Sequence, residues 1–138
     1  MISKTEIAYF NAAKAVSKLS NHKHKLGCIV VNKHRIISSG YNSMDKFHRL
    51  QAQLDKEVFT NSECLGPKHA EFSALLPLMY PSCDLSKATI FIYREHKDGS
   101  PALARPCSRC MKLIKNLNIK KIKYTTEDGY AVEYIKED

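Results

Sequence analysis

Apolar residues near the amino terminus recur about once per helical turn, whereas later apolar residues form short continuous runs. Ser3 and Glu6 have the spacing of a capping box, which predicts a helix over residues 4–19. Its apolar stripe comprises Ile7, Phe10, Ala13, Val16 and Leu19. We therefore expect one amphipathic helix that buries this stripe.

The next two apolar runs predict a β-hairpin. LGCIVV at 26–31 has the composition of a buried strand, and RIISSG at 35–40 is its predicted partner across a short polar turn. Residues 41–67 show no clear period and are predicted to form a long irregular segment. Residues 68–80 then predict a helix, which Pro77 should kink or shorten near its end.

The remaining sequence predicts a strand, a helix and a second hairpin. ATIFIY at 88–93 is β-rich, and the following KDGS turn could fold ALARP at 102–106 back as a hairpin partner. A short amphipathic helix is predicted over 107–119, and two strands flank the turn at 127–129. The order helix, strand, strand, helix, strand, helix, strand, strand indicates an α/β fold with a central sheet covered by helices.

Length and composition limit the class of protein. The 138 residues fit one compact domain spanning 1–138, and no apolar run reaches the roughly 20 residues that cross a bilayer. The first residues lack the uninterrupted apolar core of a secretory signal, and five cysteines are an odd set for a disulfide framework. We therefore expect a cytoplasmic protein with reduced thiols and no membrane partner.

Positive charge is concentrated early in the chain. The 22 Lys and Arg against 14 Asp and Glu give a net charge of +8, and residues 1–60 hold 10 of the basic residues against 4 acidic ones. This surplus fits a phosphate-bearing partner and equally a solvated basic surface. The basic candidates for a 5′-phosphate contact are Lys23, Lys25, Arg94, Arg105 and Arg109.

The strongest chemical signal combines KHAEF at 68–72 with RPCSRC at 105–110. Cys107 and Cys110 are three residues apart at a predicted helix start, so both sulfurs can reach one ion, and the helix dipole favours their thiolate forms. His69, at the start of another helix, supplies a third ligand. Three protein ligands leave one tetrahedral position open for water, which is typical of catalytic zinc sites.

Glu71 lies two residues beyond His69 and is not needed to complete the metal shell. A carboxylate beside zinc-activated water is suited to carry protons, and this H-x-E with P-C-x-x-C pattern is the signature of zinc nucleobase deaminases. A structural four-ligand site is the alternative, and it would require Cys64 or Cys83 as a fourth ligand. A second metal site is a further alternative, and its candidate ligands are His22, His24, His48 and Cys64.

These motifs and the stretch KLGCIVVNKHRIISSGYN resemble the cytidine and deoxycytidylate deaminase superfamily over most of the chain. The resemblance implies a three-layer α-β-α sandwich around a mixed five-stranded sheet and a Zn²⁺ cofactor. It also implies that Asn42 contacts the nucleoside, that the Ala70 backbone N–H helps hold the base, and that the protein is a homo-oligomer.

Two features differ from the usual deoxycytidylate pattern. The chain inserts YREHKDGSPALAR and has Arg105 before Pro-Cys, where many relatives have Thr or Ser. Its carboxy-terminal hairpin resembles the antiparallel ending of free-nucleoside cytidine deaminases and of some nucleic-acid-editing relatives. Arg105 is therefore a further candidate for contact with the substrate at the pocket rim.

The functional hypothesis is hydrolytic deamination of a cytosine base. An activated water attacks C4 while Glu71 protonates N3 and then the departing amine. The preferred substrate is a free deoxycytidine-type nucleotide or nucleoside. A deaminase of single-stranded DNA or RNA is the enzyme alternative, and a non-catalytic zinc-bearing binding module is a third reading.

Overall fold

The computed structural model describes residues 3–21, 24–42, 69–79 and 84–135. It contains three helices and five strands within these ranges, in the order α1, β1, β2, α2, β3, α3, β4, β5. Their bounds are α1 Lys4–Ser17, β1 Leu26–Asn32, β2 Arg35–Tyr41, α2 Ala70–Met79, β3 Thr89–Arg94, α3 Ser108–Asn116, β4 Lys121–Thr126 and β5 Gly129–Tyr134. The predicted order of elements is confirmed. The long segment predicted at 41–67 and the ends of the predicted 68–80 helix fall mostly outside the described residues.

All five strands form one mixed sheet in the order β2-β1-β3-β4-β5. β3 and β4 are parallel, and the other neighbouring pairs are antiparallel. The β1–β2 connection turns through Lys33 and His34, which both have positive φ, as this tight hairpin turn requires. β4 and β5 form the predicted carboxy-terminal hairpin, which pairs Thr126 with Gly129.

The central strands are buried on both faces, which explains their continuous apolar runs. On one face, Ile29 and Phe91 pack with Phe10 of α1. On the other face, the alternating residues Val30 and Ile92 belong to the core cluster that also includes residues of α2 and α3. The predicted three-layer α-β-α architecture is therefore present.

The buried face of α1 differs from the predicted stripe. The predicted capping box is present, because the Ser3 side chain accepts from the Glu6 backbone N–H and Glu6 accepts from the Ser3 N–H. However, Phe10, Ala13 and Ser17 are the buried residues of the helix. Ile7 is 40% exposed and Leu19, beyond the end of the helix, is 67% exposed. The prediction was wrong at these two positions because α1 packs on β1 and β3 through the helix face that contains Phe10, Ala13 and Ser17.

Close approach to β2 fixes the position of α2. A Cβ on Gly40 would lie 2.4 Å from the Ala74 nitrogen and 2.7 Å from the Ala70 carbonyl oxygen, so only glycine allows this contact. The Ser38 hydroxyl also donates to the Ala74 carbonyl. Pro77 lies inside α2, close to the last helical residue that the structure describes, and its predicted effect on the end of the helix stays a prediction. These contacts set the height of the first turn of α2 above the sheet.

The segment after the inserted turn is not a regular strand. Only Glu95 and Pro101 form an isolated bridge, and residues 102–107 are irregular. The prediction that residues 102–106 form a hairpin strand is therefore wrong, although the chain does fold back towards β3. The reason is that Ala102 and Ala104 bond to the ends of β3 and β4, with the Ala102 N–H donating to Arg94 O and the Ala104 N–H donating to Thr125 O.

The third helix is shorter than predicted. α3 ends at Asn116, and Asn118 has φ 65°, so the chain leaves the helix through a left-handed residue before Ile119. None of the described helices is long and apolar enough to cross a membrane.

Candidate active site

The two motif cysteines stand at the amino end of α3. Cys107 is the N-cap residue in extended conformation, and Cys110 is the third residue of the helix. Side chains at these two positions face each other across the first turn, as they do in a capping box. The sulfur of Cys110 is buried with its residue, whereas Cys107 is exposed. This places both sulfurs on one side of the helix start, as the spacing predicted.

His69 brings an imidazole to the same point from the start of α2. Its Nδ1 lies 3.6 Å from Sγ of Cys110 and 4.0 Å from Sγ of Cys107. A tetrahedral zinc with Zn–S bonds of about 2.3 Å and Zn–N bonds of about 2.0–2.1 Å separates nitrogen from sulfur by roughly 3.6 Å. Within the described part of the chain, this is the one group of at least three such side chains that could hold a metal ion. Cys64 and Cys83, the alternative fourth ligands, lie outside the described residues.

The two thiols have opposite acidities. A hydrogen bond from Cys110, aided by His69, lowers the pKa of Cys107 to about 3. The same thiol pair and burial raise the pKa of Cys110 well above its ordinary value. Because a metal binds the thiolate form, a cation that binds both sulfurs must displace the proton of Cys110. Such a donor set of two soft sulfurs and one imidazole fits zinc.

Glu71 is the second residue of α2 and is only 5% exposed. Burial raises the pKa of its carboxyl, although a hydrogen bond with Cys110 and the charge of His69 oppose this shift. Raising the pKa of a carboxyl makes its protonated form easier to reach, which suits a group that both accepts and donates a proton. The geometry thus places the predicted proton carrier beside the candidate ligands without using it as one.

A pocket of about 340 Å³ opens beside these residues. Its volume lies in the range of small-molecule sites. One side of the pocket is lined by the candidate metal ligands His69 and Cys107, by Glu71, and by Ala70 at the start of α2. The rest of the lining comes from His24, Leu26, Asn42, Arg94, Leu103, Ala104 and Arg105. Asn42, Ala70 and Arg105, which were predicted to contact the substrate, therefore line one pocket with Arg94, and their individual roles stay predictions. The phosphate candidates Lys25 and Arg109 are not among its lining residues.

Asn42 and Arg105 each have protein partners at the pocket wall. The Asn42 amide accepts from the Ser20 hydroxyl at 2.7 Å and from the Leu26 N–H at 2.9 Å, and it donates to the His24 carbonyl at 2.6 Å. Asn42 therefore ties the loop after α1 to the end of β2. Arg105 forms a two-pronged ion pair with Glu133, with its Nη2 2.9 Å from Oε1. That bond raises the pKa of the Arg105 guanidinium.

Two residues combine in a way that sequence reasoning did not foresee. Arg94 was predicted only as one of several basic candidates, and His24 only as part of a second metal site. The Arg94 Nη2 lies 3.2 Å from Nδ1 of His24, and its Nη1 donates to the Leu103 carbonyl at 3.2 Å. Seventy residues separate the two, so no local pattern could have linked them. Lys23, His22 and His48 lie outside the described residues.

Comparison with known proteins decides the family. Residues 3–126 match the family described as "Cytidine and deoxycytidylate deaminase zinc-binding region". The chain belongs to this family. The matched region includes the two helix starts that carry His69, Glu71, Cys107 and Cys110. The resemblance inferred from the motifs is confirmed, and the family's zinc-binding region supports Zn²⁺ as the cofactor of the site.

Solved structures share the fold. The chain is similar to the dCMP deaminase of the cyanophage S-TIM5 in apo form, with 27% identity, 90% of this chain and 84% of that chain covered, and a TM-score of 0.61. The same phage enzyme in complex with dCMP and dUMP aligns with 24% identity over 90% and 82% of the two chains, with a TM-score of 0.61. Cytidine deaminase from Burkholderia pseudomallei aligns with 17% identity over 97% and 94%, with a TM-score of 0.64. No curated protein matches the chain by sequence. The family match supports deamination of a cytosine-type substrate as its general chemistry.

Proposed function

We propose that this protein is a zinc-dependent hydrolase that deaminates a cytosine nucleotide or nucleoside to the uracil product and releases ammonia. One observation carries the proposal. Two thiols and an imidazole lie at zinc-binding separations, and the imidazole, the Cys107 thiol and a buried carboxyl with a raised pKa line one pocket. The proposal includes residues 1–138 as one cytidine deaminase-like zinc-binding domain, acting as a cytoplasmic homo-oligomer.

In this proposal, His69, Cys107 and Cys110 hold the ion. Zinc bound there supplies Lewis-acid activation of water. Glu71 accepts a proton from the water that adds to C4 and delivers it to N3 of the ring. Glu71 then assists transfer of a proton to the amine, the C4–N bond breaks, and ammonia leaves. The low exposure of Glu71 keeps these transfers away from bulk solvent, and its raised pKa matches a group that alternates between the two protonation states.

The contacts of Arg94 favour a 5′-monophosphate over a free nucleoside. The partners of its guanidinium are the Leu103 carbonyl and His24 Nδ1, and no carboxylate of the described residues forms an ion pair with it. Arginine recognises phosphate through charge-assisted hydrogen bonds. A partly buried cation at the wall of the pocket, with no carboxylate partner in the part of the chain that the structure describes, is suited to an anionic substrate group. The phage enzyme crystallised with dCMP and dUMP is consistent with such a substrate class.

The deciding experiment is ammonia release by zinc-loaded protein from dCMP, CMP, deoxycytidine, cytidine and a cytosine-containing single-stranded oligonucleotide. The proposal predicts the highest kcat/KM for a monophosphate. Arg94→Gln should lower kcat/KM for that monophosphate roughly 10- to 100-fold and leave the matching nucleoside nearly unchanged, because a charged hydrogen bond contributes about 1.5–3 kcal/mol.

Two outcomes of this experiment would contradict the proposal. Turnover confined to the oligonucleotide, with binding that weakens steeply as salt rises, would identify a polynucleotide deaminase instead. Glu71→Ala is the control for catalysis, since it should abolish turnover and retain zinc. If wild-type protein releases no ammonia from any of these substrates, the zinc-bearing binding module is the better account.

A further inference from the structure

The hydroxyl of Thr125 lies at a point where the sheet opens. The parallel pairing of β3 and β4 ends at Ile92 and Tyr124, and Thr125 is the next residue of β4. Its side chain is fully buried even though it is polar. A buried hydroxyl is tolerated when it is hydrogen-bonded, so its partners indicate what it holds in place.

Thr125 bonds to both chain segments that meet at this opening. Its Oγ1 accepts from the Arg94 N–H at 3.0 Å and donates to the Ala102 carbonyl at 2.7 Å. Its own carbonyl accepts from the Ala104 N–H at 2.9 Å. The Ala102 N–H in turn donates to the Arg94 carbonyl at 3.0 Å. The segment 102–104 therefore lies between the ends of β3 and β4, and the Thr125 hydroxyl connects it to the end of β3.

Both segments held in this way form the pocket wall. Arg94, Leu103 and Ala104 line the pocket, and the Arg94 guanidinium bonds to the Leu103 carbonyl. Ala102 and Ala104 are almost completely buried, so the segment has little room to settle elsewhere. The hydroxyl itself does not line the pocket, and it acts through these neighbours.

We propose that Thr125 is a positioning residue for substrate binding, whose hydroxyl sets Arg94 and segment 102–104 in the arrangement that forms the pocket wall. The kinetic part of this inference rests on the proposed deaminase function. Cys107 is anchored separately, because its carbonyl accepts from the Met111 N–H within α3. Loss of the hydroxyl should therefore change substrate binding and leave zinc content unaltered.

Two substitutions separate positioning from stability. Thr125→Val keeps the shape of the side chain and removes the hydroxyl, so the Arg94 N–H and the Ala102 carbonyl lose a partner. Thr125→Ser keeps the hydroxyl and removes a buried methyl group, which lowers stability. We expect Thr125→Val to raise KM roughly ten-fold with kcat within about two-fold, since displacement of a binding wall weakens substrate orientation. Thr125→Ser should lower Tm but keep the wild-type KM.

Amide hydrogen exchange gives a readout that does not need turnover. The Arg94 and Ala104 N–H groups should exchange faster in Thr125→Val and stay protected in Thr125→Ser. If Thr125→Val does not fold, Thr125→Cys replaces it, since it has similar bulk and only a weak S–H donor. Thr125→Cys should raise KM above the wild-type value, by less than roughly ten-fold, and should speed amide exchange at both Arg94 and Ala104.

The results that would overturn the inference differ from those that would overturn the function. If KM rises in proportion to the loss of Tm in both Thr125→Val and Thr125→Ser, Thr125 has no positioning role. The same conclusion follows if amide exchange at Arg94 and Ala104 is unchanged in the variants that lack the hydroxyl. Absence of turnover in wild-type protein would count against the proposed function, and the exchange rates would still decide whether the hydroxyl holds the wall.

Discussion

Replacing Gly40 by alanine tests whether the contact between β2 and α2 positions the catalytic groups. The new Cβ would lie 2.4 Å from the Ala74 nitrogen, 2.7 Å from the Ala70 carbonyl oxygen and 2.8 Å from the Ser73 carbonyl carbon. Ordinary contact begins near 3.4 Å, so the shortest of these distances is short by about 1 Å. All three atoms belong to the α2 backbone, so the helix itself must move and no side chain can relieve the overlap.

The expected losses of unfolding free energy and of kcat/KM follow from this displacement of α2. Overpacking in a core typically costs about 1–3 kcal/mol, and a backbone clash of this depth belongs at the upper end of that range. Ala70 precedes Glu71, so the movement carries the proposed proton donor away from its place. A displacement of about 1 Å can lower activity by roughly 100-fold. We therefore expect Gly40→Ala to lose about 3 kcal/mol of unfolding free energy and most of its kcat/KM.

The assay compares urea unfolding with ammonia release per zinc-loaded molecule. Gly99→Ala is the matched control, because it adds the same methyl group where nothing lies within 4 Å, although at φ +88°. It should cost about 1–2 kcal/mol through backbone strain and leave kcat/KM unchanged. The reasoning would be refuted if Gly40→Ala kept an unfolding free energy within about 0.5 kcal/mol of wild type and an unchanged kcat/KM.

The helix α1 and the core provide two further tests. A hydrogen bond from Lys123 lowers the pKa of the Glu6 carboxyl from 4.5, so the stability that this pair contributes is present above pH 4.5 and is lost as the pH falls through the lowered value. Between pH 6 and 3, the unfolding free energy of wild type in urea should therefore fall by about 1 kcal/mol or less more than that of Glu6→Gln, and parallel curves would contradict this. Leu75→Ala should cost about 2–5 kcal/mol because Leu75 is completely buried, whereas Leu19→Ala should cost less than about 0.5 kcal/mol because Leu19 is 67% exposed. Equal losses in thermal unfolding would show that the assigned core is wrong.

The parts of the fold that depend on local sequence could be predicted. Period, capping and turn residues belong to single elements, so the order of helices and strands followed from them, as did the placement of both cysteines at the first turn of α3. His69 and Glu71 were predictable as a pair for the same reason, since both lie at the start of one helix. The burial of Glu71, which raises its pKa, required the packed structure.

Features that depend on contacts between distant segments could not be predicted. Leu19 matched the helical period, but the helix ends at Ser17 and leaves it exposed. The KDGS turn predicted that the following segment pairs as a hairpin strand, yet residues 102–104 bond to the ends of two other strands, which no local pattern encodes. The contact between Arg94 and His24 likewise arises because the loop between α1 and β1 lies beside the carboxyl end of the central strand β3.

X-ray absorption at the zinc edge of the loaded protein tests the central claim most directly. Two sulfurs at about 2.3 Å, with the rest of the shell made of nitrogen or oxygen at about 2.0–2.1 Å, is the predicted first shell. In Cys107→Ser and Cys110→Ser the sulfur count should fall or the ion should be lost, whereas Cys64→Ser and Cys83→Ser should leave the spectrum unchanged. A shell with three or four sulfurs, or one altered by removal of Cys64 or Cys83, would contradict an open catalytic site.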